Sequence, residues 1–183
     1  MIDWTQQWKL HAPNFKGNFA YVKLKENLSF RLKPGPGFGD LSHPTTKLML
    51  EMLPEKIKGT VIDIGCGSGI LSLAAKLLGA EEVIGIDIDE EAIEHANENA
   101  ELNGLNCFFG KELPHTPKNP LILMNMISSE QKLAWKALPT FKSYRLIVSG
   151  YPVDEKEPHQ NGALIQKAVL DGWKGYVFEQ VPY

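Results

Sequence analysis

The chain has 183 residues, of which 43% are hydrophobic and 22% charged, and it carries a formal net charge of −3. That length suits one domain with a full core, and the balance is ordinary for a soluble globular protein. No block of Lys or Arg forms a basic stripe, so binding along a nucleic-acid phosphate backbone has little electrostatic support, and no window approaches the roughly 18 apolar residues of a membrane span.

The N-terminus, Met1-Ile2-Asp3-Trp4-Thr5-Gln6-Gln7-Trp8, has neither a basic n-region nor an apolar h-region and does not read as a signal peptide. Two cysteines, Cys66 and Cys107, give no disulfide framework and no metal-ligand spacing, so the chain reads as cytoplasmic with reduced thiols. A short helix would place Trp4 and Trp8 on one face. Residues Asn18 to Leu32 alternate apolar and polar around Glu26-Asn27 and predict a hairpin, which Pro34-Gly35-Pro36-Gly37-Phe38-Gly39 then closes. Residues 1–33 are therefore expected to form an arm on the main domain, 34–183.

A helix is expected after Ser42 as N-cap, with Pro44 in its first turn, Leu48, Met49, Met52 and Leu53 at helical spacing, and Pro54 ending it. The core follows: strand Thr60–Ile64, helix Ile70–Leu78, strand Val83–Asp87, and a helix Glu90–Asn103 capped by Asp89 and stopped by Gly104. Cys107-Phe108-Phe109 and the fully apolar Leu121-Ile122-Leu123-Met124 are the next strands, then a helix Gln131–Leu138 and a strand Arg145–Val148. The pattern ends on a helix Gly162–Leu170 and a strand Tyr176–Val181. Strands alternating with helices predict an α/β, doubly wound, mostly parallel sheet.

One corner of that pattern carries chemistry. Asp63-x-Gly65-x-Gly67-x-Gly69 sits between a β-branched strand and an apolar helix, and Asp87 ends the next strand about twenty residues on. A dinucleotide fingerprint would need a third glycine at position 70 or 72, where Ile70 and Ser72 stand. Alternate glycines with a preceding acid suit S-adenosylmethionine instead. Bare backbone admits its methionyl chain, and a carboxylate at the second strand's end accepts bonds from both ribose hydroxyls. The alternative is a turn whose glycines serve packing only. In doubly wound sheets ligands bind beyond the strands' carboxyl ends. Asn125, which follows an apolar strand there, either caps the next turn or meets the ligand, and the second is favoured because the transferred methyl should point toward it.

With these residues in hand, the chain resembles class I S-adenosylmethionine-dependent methyltransferases, specifically the PrmA-type ribosomal protein methyltransferase family. The resemblance rests on Phe38-Gly39 through His43-Pro44-Thr45-Thr46, on the Asp63–Gly69 turn with Ile70-Leu71, on Gly85-Ile86-Asp87-Ile88-Asp89 with Asn99-Ala100-Glu101-Leu102-Asn103-Gly104, and on Asn125-Met126-Ile127. It implies cofactor contacts from Thr46, Gly65, Asp87 and Asn125. The full candidate set for the cofactor is Thr46, Asp63, Gly65, Gly67, Gly69, Asp87, Ile88 and Asn125, with Asn125 also the candidate catalytic residue and no metal. The chain departs from the family in three ways. By the resemblance it is expected to start at the linker after the family's N-terminal substrate-recognition domain, and it has Asp40-Leu41-Ser42 where a Thr-Gly-Thr run is usual. It also shows one final strand where an antiparallel pair is expected, so the sheet would be one strand short or the N-terminal hairpin would cover its edge.

The implied reaction is methyl transfer to nitrogen on a protein, with a ribosomal protein as the implied partner. Methylation of a small molecule or another macromolecule, and a non-catalytic cofactor-binding paralogue, are the alternatives. Positioning an uncharged amine about 3 Å from the methyl supplies much of the acceleration. The Asn125 side chain and the Met126 carbonyl are expected to aim that amine, Asp63 to hold the glycine turn and the cofactor's amino group, and Asp87 to fix the ribose. Cys66 reads as a small residue in a tight turn rather than a nucleophile. His43, His95, His115 and His159 lack metal spacing, and His95 reads as a solvent-facing helix residue.

Overall fold

The computed structural model describes residues 2–158 and 162–181. The arm comes first: helix α1 (Trp4–His11), the two-residue strand β1 (Phe15–Lys16), β2 (Phe19–Lys25) and β3 (Leu28–Leu32). Ala20 and Val22 of β2 and Phe30 and Leu32 of β3 are buried while their neighbours in sequence point outward, the period-2 alternation of a half-buried hairpin. Helix α2 (Pro44–Met52) follows, with His43 as its N-cap in place of the expected Ser42. The His43 side chain accepts from Thr45 N, so imidazole does the work a hydroxyl was expected to do.

The main domain then winds through β4 (Thr60–Ile64), α3 (Ile70–Leu77), β5 (Glu82–Ile86), α4 (Glu90–Leu102), β6 (Phe108–Gly110), β7 (Leu121–Asn125), α5 (Ser128–Ala137), β8 (Tyr144–Pro152), β9 (Ala163–Leu170) and β10 (Trp173–Gln180). Among the described residues the sheet has seven strands, in the order β6-β5-β4-β7-β8-β10-β9. The pairs β4·β5, β4·β7, β5·β6 and β7·β8 are parallel, and β10 runs antiparallel to both β8 and β9. The chain winds outward from β4 to β6, then returns to β7, so the topological switch point lies between β4 and β7. Alternation along the strands splits the core into two layers. Val61, Leu121, Leu123 and Ile147 pack under α2, α3 and the arm, while Ile62, Ile122, Met124 and Leu146 pack with Ala134 and Trp135 of α5 on the other face.

Two sequence expectations fail here. Residues 163–170 form strand β9, not a helix, and the sheet is complete with its antiparallel pair. The apolar positions Leu164, Ile165, Ala168 and Val169 mimic helical spacing. On an edge strand exposed along most of its length, the alternation that would betray a strand has no buried face to write it. The signal that would have found it is Asp171-Gly172. Both residues have positive φ, +47° and +82°, and they join Leu170 to Trp173 as the two-residue turn of a hairpin. Nor does the N-terminal hairpin cover a sheet edge. The edges are β6 and β9, and β3 lies on α3 and α4.

Candidate functional site

A cleft of about 1320 Å³ opens over the carboxyl ends of β4, β5 and β7, at the switch point. Gly65, Gly67, Asp87, Ile88, Asn125 and Met126 are among the residues that line it. Of the other candidates, Thr46, Asp63 and Gly69 lie behind its wall, and each has a visible packing task.

Gly65, Gly67 and Gly69 take φ of +70°, +54° and +79°, a left-handed run that favours glycine. Gly69 N-caps α3 in that conformation. A Cβ on Gly67 would stand 2.5 Å from the Phe38 carbonyl oxygen, and one on Gly37 would stand 2.5 Å from the Gly67 carbonyl carbon. The segment 34–39 therefore straps the glycine corner backbone to backbone. Ser68 ties it down, its N–H donating to Phe38 O at 2.8 Å and its hydroxyl to Gly39 O at 3.0 Å. The packing alternative weighed for these glycines thus accounts for part of the motif, while Gly65 and Gly67 also present bare backbone to the cleft.

Asp87 closes the corner from β5's end. Its Oδ2 accepts from Gly67 N at 3.0 Å and its Oδ1 from Asp89 N at 3.1 Å. Each oxygen keeps a lone pair for a further donor, which is what a vicinal diol in the cleft requires. Asn125, at β7's end, does not cap α5, whose N-cap is Ile127 without a side-chain bond. Its Nδ2 donates to Thr46 Oγ1 at 3.3 Å, so two residues 79 apart in sequence meet, and the amide's Oδ1 is its acceptor.

Asp63 is the buried member. On β4 it shares a face with Val61, toward α3, where Ser72 donates its hydroxyl at 2.7 Å to Asp63 Oδ2. Burial pushes the carboxyl up to about 6 against the opposing Ser72 bonds. The folded state therefore holds the proton more tightly than the unfolded chain, and this group's contribution to stability is present near pH 4 and lost as pH rises through about 6. A shift of that size is worth roughly 3 kcal/mol. Asp63→Asn should remove the loss, so urea midpoints of wild type and variant should diverge between about pH 4 and about pH 6 and level off above it. Parallel curves would show that the buried carboxyl titrates normally.

Helix α4 contributes what sequence reading missed. His95 is 3% exposed, not solvent-facing. Its Nδ1 accepts from Gly37 N at 3.1 Å while Nε2 meets Lys33 O at 2.7 Å, so Nε2 carries the proton and the ring is neutral. Burial lowers its pKa accordingly. Asn99 accepts from Lys33 N at 2.8 Å, and Asn103 both accepts from Arg31 N at 3.0 Å and donates to Arg31 O at 2.7 Å. The spacing of His95, Asn99 and Asn103 puts all three on one helix face, where they pair with the extended chain entering the strap. Trp8 adds an indole N–H to Gly35 O at 3.1 Å. Charged groups in an acidic helix are ordinarily solvated; here the polar stripe instead supplies the backbone partners of a segment on the side away from β2.

On the cleft's far wall His43 packs edge-on between Trp173, at 4.8 Å between ring centroids, and Phe38, at 5.7 Å. Trp173 opens β10, delivered by a hairpin whose first strand stands where the sequence predicts a helix. Cys66 is buried in the turn, and burial pushes its thiol up, away from the thiolate a nucleophile needs. Among the described residues no group of three or more His, Cys, Asp or Glu could hold a metal, and no helix is long and apolar enough to cross a membrane. His159 lies outside the described residues.

The family "Ribosomal protein L11 methyltransferase (PrmA)" matches residues 3–152. A ribosomal protein L11 methyltransferase of Photobacterium profundum is 45% identical over 140 residues, covering 69% of this chain and 48% of that protein. The enzyme of the same name from Neisseria gonorrhoeae is 36% identical over 150 residues, covering 79% and 50%. The chain thus spans about half the length or less of these curated relatives. The crystal structure of a ribosomal protein L11 methylase from Lactobacillus delbrueckii subsp. bulgaricus superposes with a TM-score of 0.66 at 22% identity, over 89% of this chain and 99% of that one. TrmK of M. capricolum, solved with the cofactor product S-adenosylhomocysteine, superposes with a TM-score of 0.53 at 12% identity over 76% and 68%. At these identities the two structures establish the doubly wound fold.

Proposed function

The chain belongs to the ribosomal protein L11 methyltransferase (PrmA) family, and on that premise we propose that its cleft binds S-adenosylmethionine and methylates nitrogen on a ribosomal protein. The observation that carries the reading is the meeting, in one cleft, of the Asp87 carboxylate, the backbone of Gly65 and Gly67, and the Asn125 amide. These groups fit the cofactor. Gly65 and Gly67 line the cleft as backbone without side chains, Asp87 has lone pairs for the ribose hydroxyls, and Asn125 offers an acceptor at the end of β7, on the other side of β4 from Asp87. When bound, the sulfonium supplies an electrophilic methyl group.

The chain's own residues do the rest. Asp87 fixes the sugar and, through Gly67 N, the corner itself. Thr46 pins the Asn125 amide by accepting from Nδ2, and Oδ1 then accepts from the incoming amine and aims its lone pair. Asp63 acts from behind the wall, through Ser72 and the start of α3. Residues 1–33 serve as an arm that holds the strap through α4, and 34–183 as the methyltransferase domain. A ribosomal-protein acceptor places the reaction in the cytoplasm, where ribosomal proteins are made.

Incubating the chain with tritiated S-adenosylmethionine and purified ribosomal protein L11 tests this directly. Label should enter the protein, and Asn125→Ala should slow incorporation by about 100-fold, ~2.7 kcal/mol of barrier, while S-adenosylhomocysteine affinity changes by less than about threefold. An Asn125→Ala enzyme at wild-type rate would remove the amide from the mechanism. Label appearing only in a small-molecule fraction would move the acceptor to another class.

A further inference from the structure

Helix α5 carries an anomaly: its one buried residue is Gln131, a polar amide that is 3% exposed. We infer that Gln131, oriented by Tyr151, positions the Asn125–Ile127 loop against the reacting groups. This rests on the cleft being the methyl-transfer site. Gln131 Nε2 donates to Met126 O at 2.6 Å and to Ser149 O at 3.0 Å, and Tyr151 donates its hydroxyl to Gln131 Oε1. Two carbonyls at one end and a phenol at the other fix which way the amide faces.

The location gives the contact its meaning. The parallel β7·β8 ladder ends at the pair Asn125↔Ser149. Beyond it Gly150 turns to φ +113°, and a Cβ there would stand 2.0 Å from Met126 O, so only glycine lets β8 pass that carbonyl. With the ladder finished, the Gln131 amide spans the two strand ends and takes the place of the next rung. It uses one lone pair of Met126 O and leaves the second for a donor in the cleft, which Met126 lines beside Asn125. Gln131 is thus a positioning residue: it touches no reactant, yet it sets the place of the two acceptors that would receive the amine.

A pair of cofactor analogues separates this role from a structural one. S-adenosylhomocysteine has nothing at the methyl position, whereas sinefungin carries an amine there, so the ratio of their affinities reports on the acceptor groups alone. Calorimetry on the full chain should show Gln131→Met, which removes both donors at similar size without adding a charge, weakening sinefungin about tenfold, the size of one charge-assisted hydrogen bond, with S-adenosylhomocysteine changed by less than about threefold. Tyr151→Phe, which removes the bond to Gln131 Oε1, should shift the same ratio about threefold, and it serves should Gln131→Met fail to fold. An unchanged ratio in both variants, or equal losses for both ligands, overturns the inference while leaving the cofactor site intact. A wild-type chain that binds neither ligand overturns the cofactor reading and the positioning role with it.

Discussion

Replacing Asp87 with alanine should weaken S-adenosylhomocysteine binding by about 100- to 1000-fold, the largest loss expected from any single side chain in the cleft. Two bonds from ribose hydroxyls to a carboxylate are worth roughly 1.5–3 kcal/mol each, and part of that sum is regained by water in the variant. The same carboxylate holds Gly67 N and Asp89 N, so the change also loosens the corner it faces. Asp87→Asn keeps the shape and one acceptor oxygen but turns an NH2 toward one of the two backbone donors, so it should recover only part of the affinity. A titration in which Asp87→Ala binds within about threefold of wild type would place the sugar elsewhere.

The second large effect belongs to Gly67→Ala, and it is expected in stability. The methyl would meet the Phe38 carbonyl at 2.5 Å, and both partners are backbone. Relief requires the strap to lift, which breaks the 2.8 Å bond from Ser68 N to Phe38 O. The left-handed φ of +54° adds about 1–2 kcal/mol for any side chain. Together these amount to roughly 3 kcal/mol, or about 6–12 °C in Tm for a domain of this size. Gly104→Ala is the matched control: its φ is +62°, but no atom lies within 4 Å of the added methyl, so it should lose only the dihedral part. Equal Tm values for the two variants would show that the strap is not packed on the corner.

The residues whose identities answer a local demand were legible in the sequence. The glycines state a left-handed backbone, Asp87 stands at the end of an apolar run, and Asn125 interrupts one where a strand should stop. What could not be read depends on partners far away in the chain. Asp63 looked like a ligand contact and turns out to be buried against Ser72, because strand alternation carries it to the α3 face. His95 looked solvated because its partners, Lys33 O and Gly37 N, are main-chain groups that leave no trace in composition. The glycines themselves were half understood, since a ligand and a second backbone make the same request for a missing Cβ. Strand β9 was lost for the opposite reason. Its turn was written plainly in Asp171-Gly172, while its exposed face carried no periodicity to set against a helical count.

The most direct measurement is calorimetric titration of the unaltered chain with S-adenosylhomocysteine. One molecule should bind per chain with a dissociation constant in the range of about 1–100 μM, or about −8.2 to −5.5 kcal/mol. No heat of binding at millimolar ligand would contradict the assignment of the cleft.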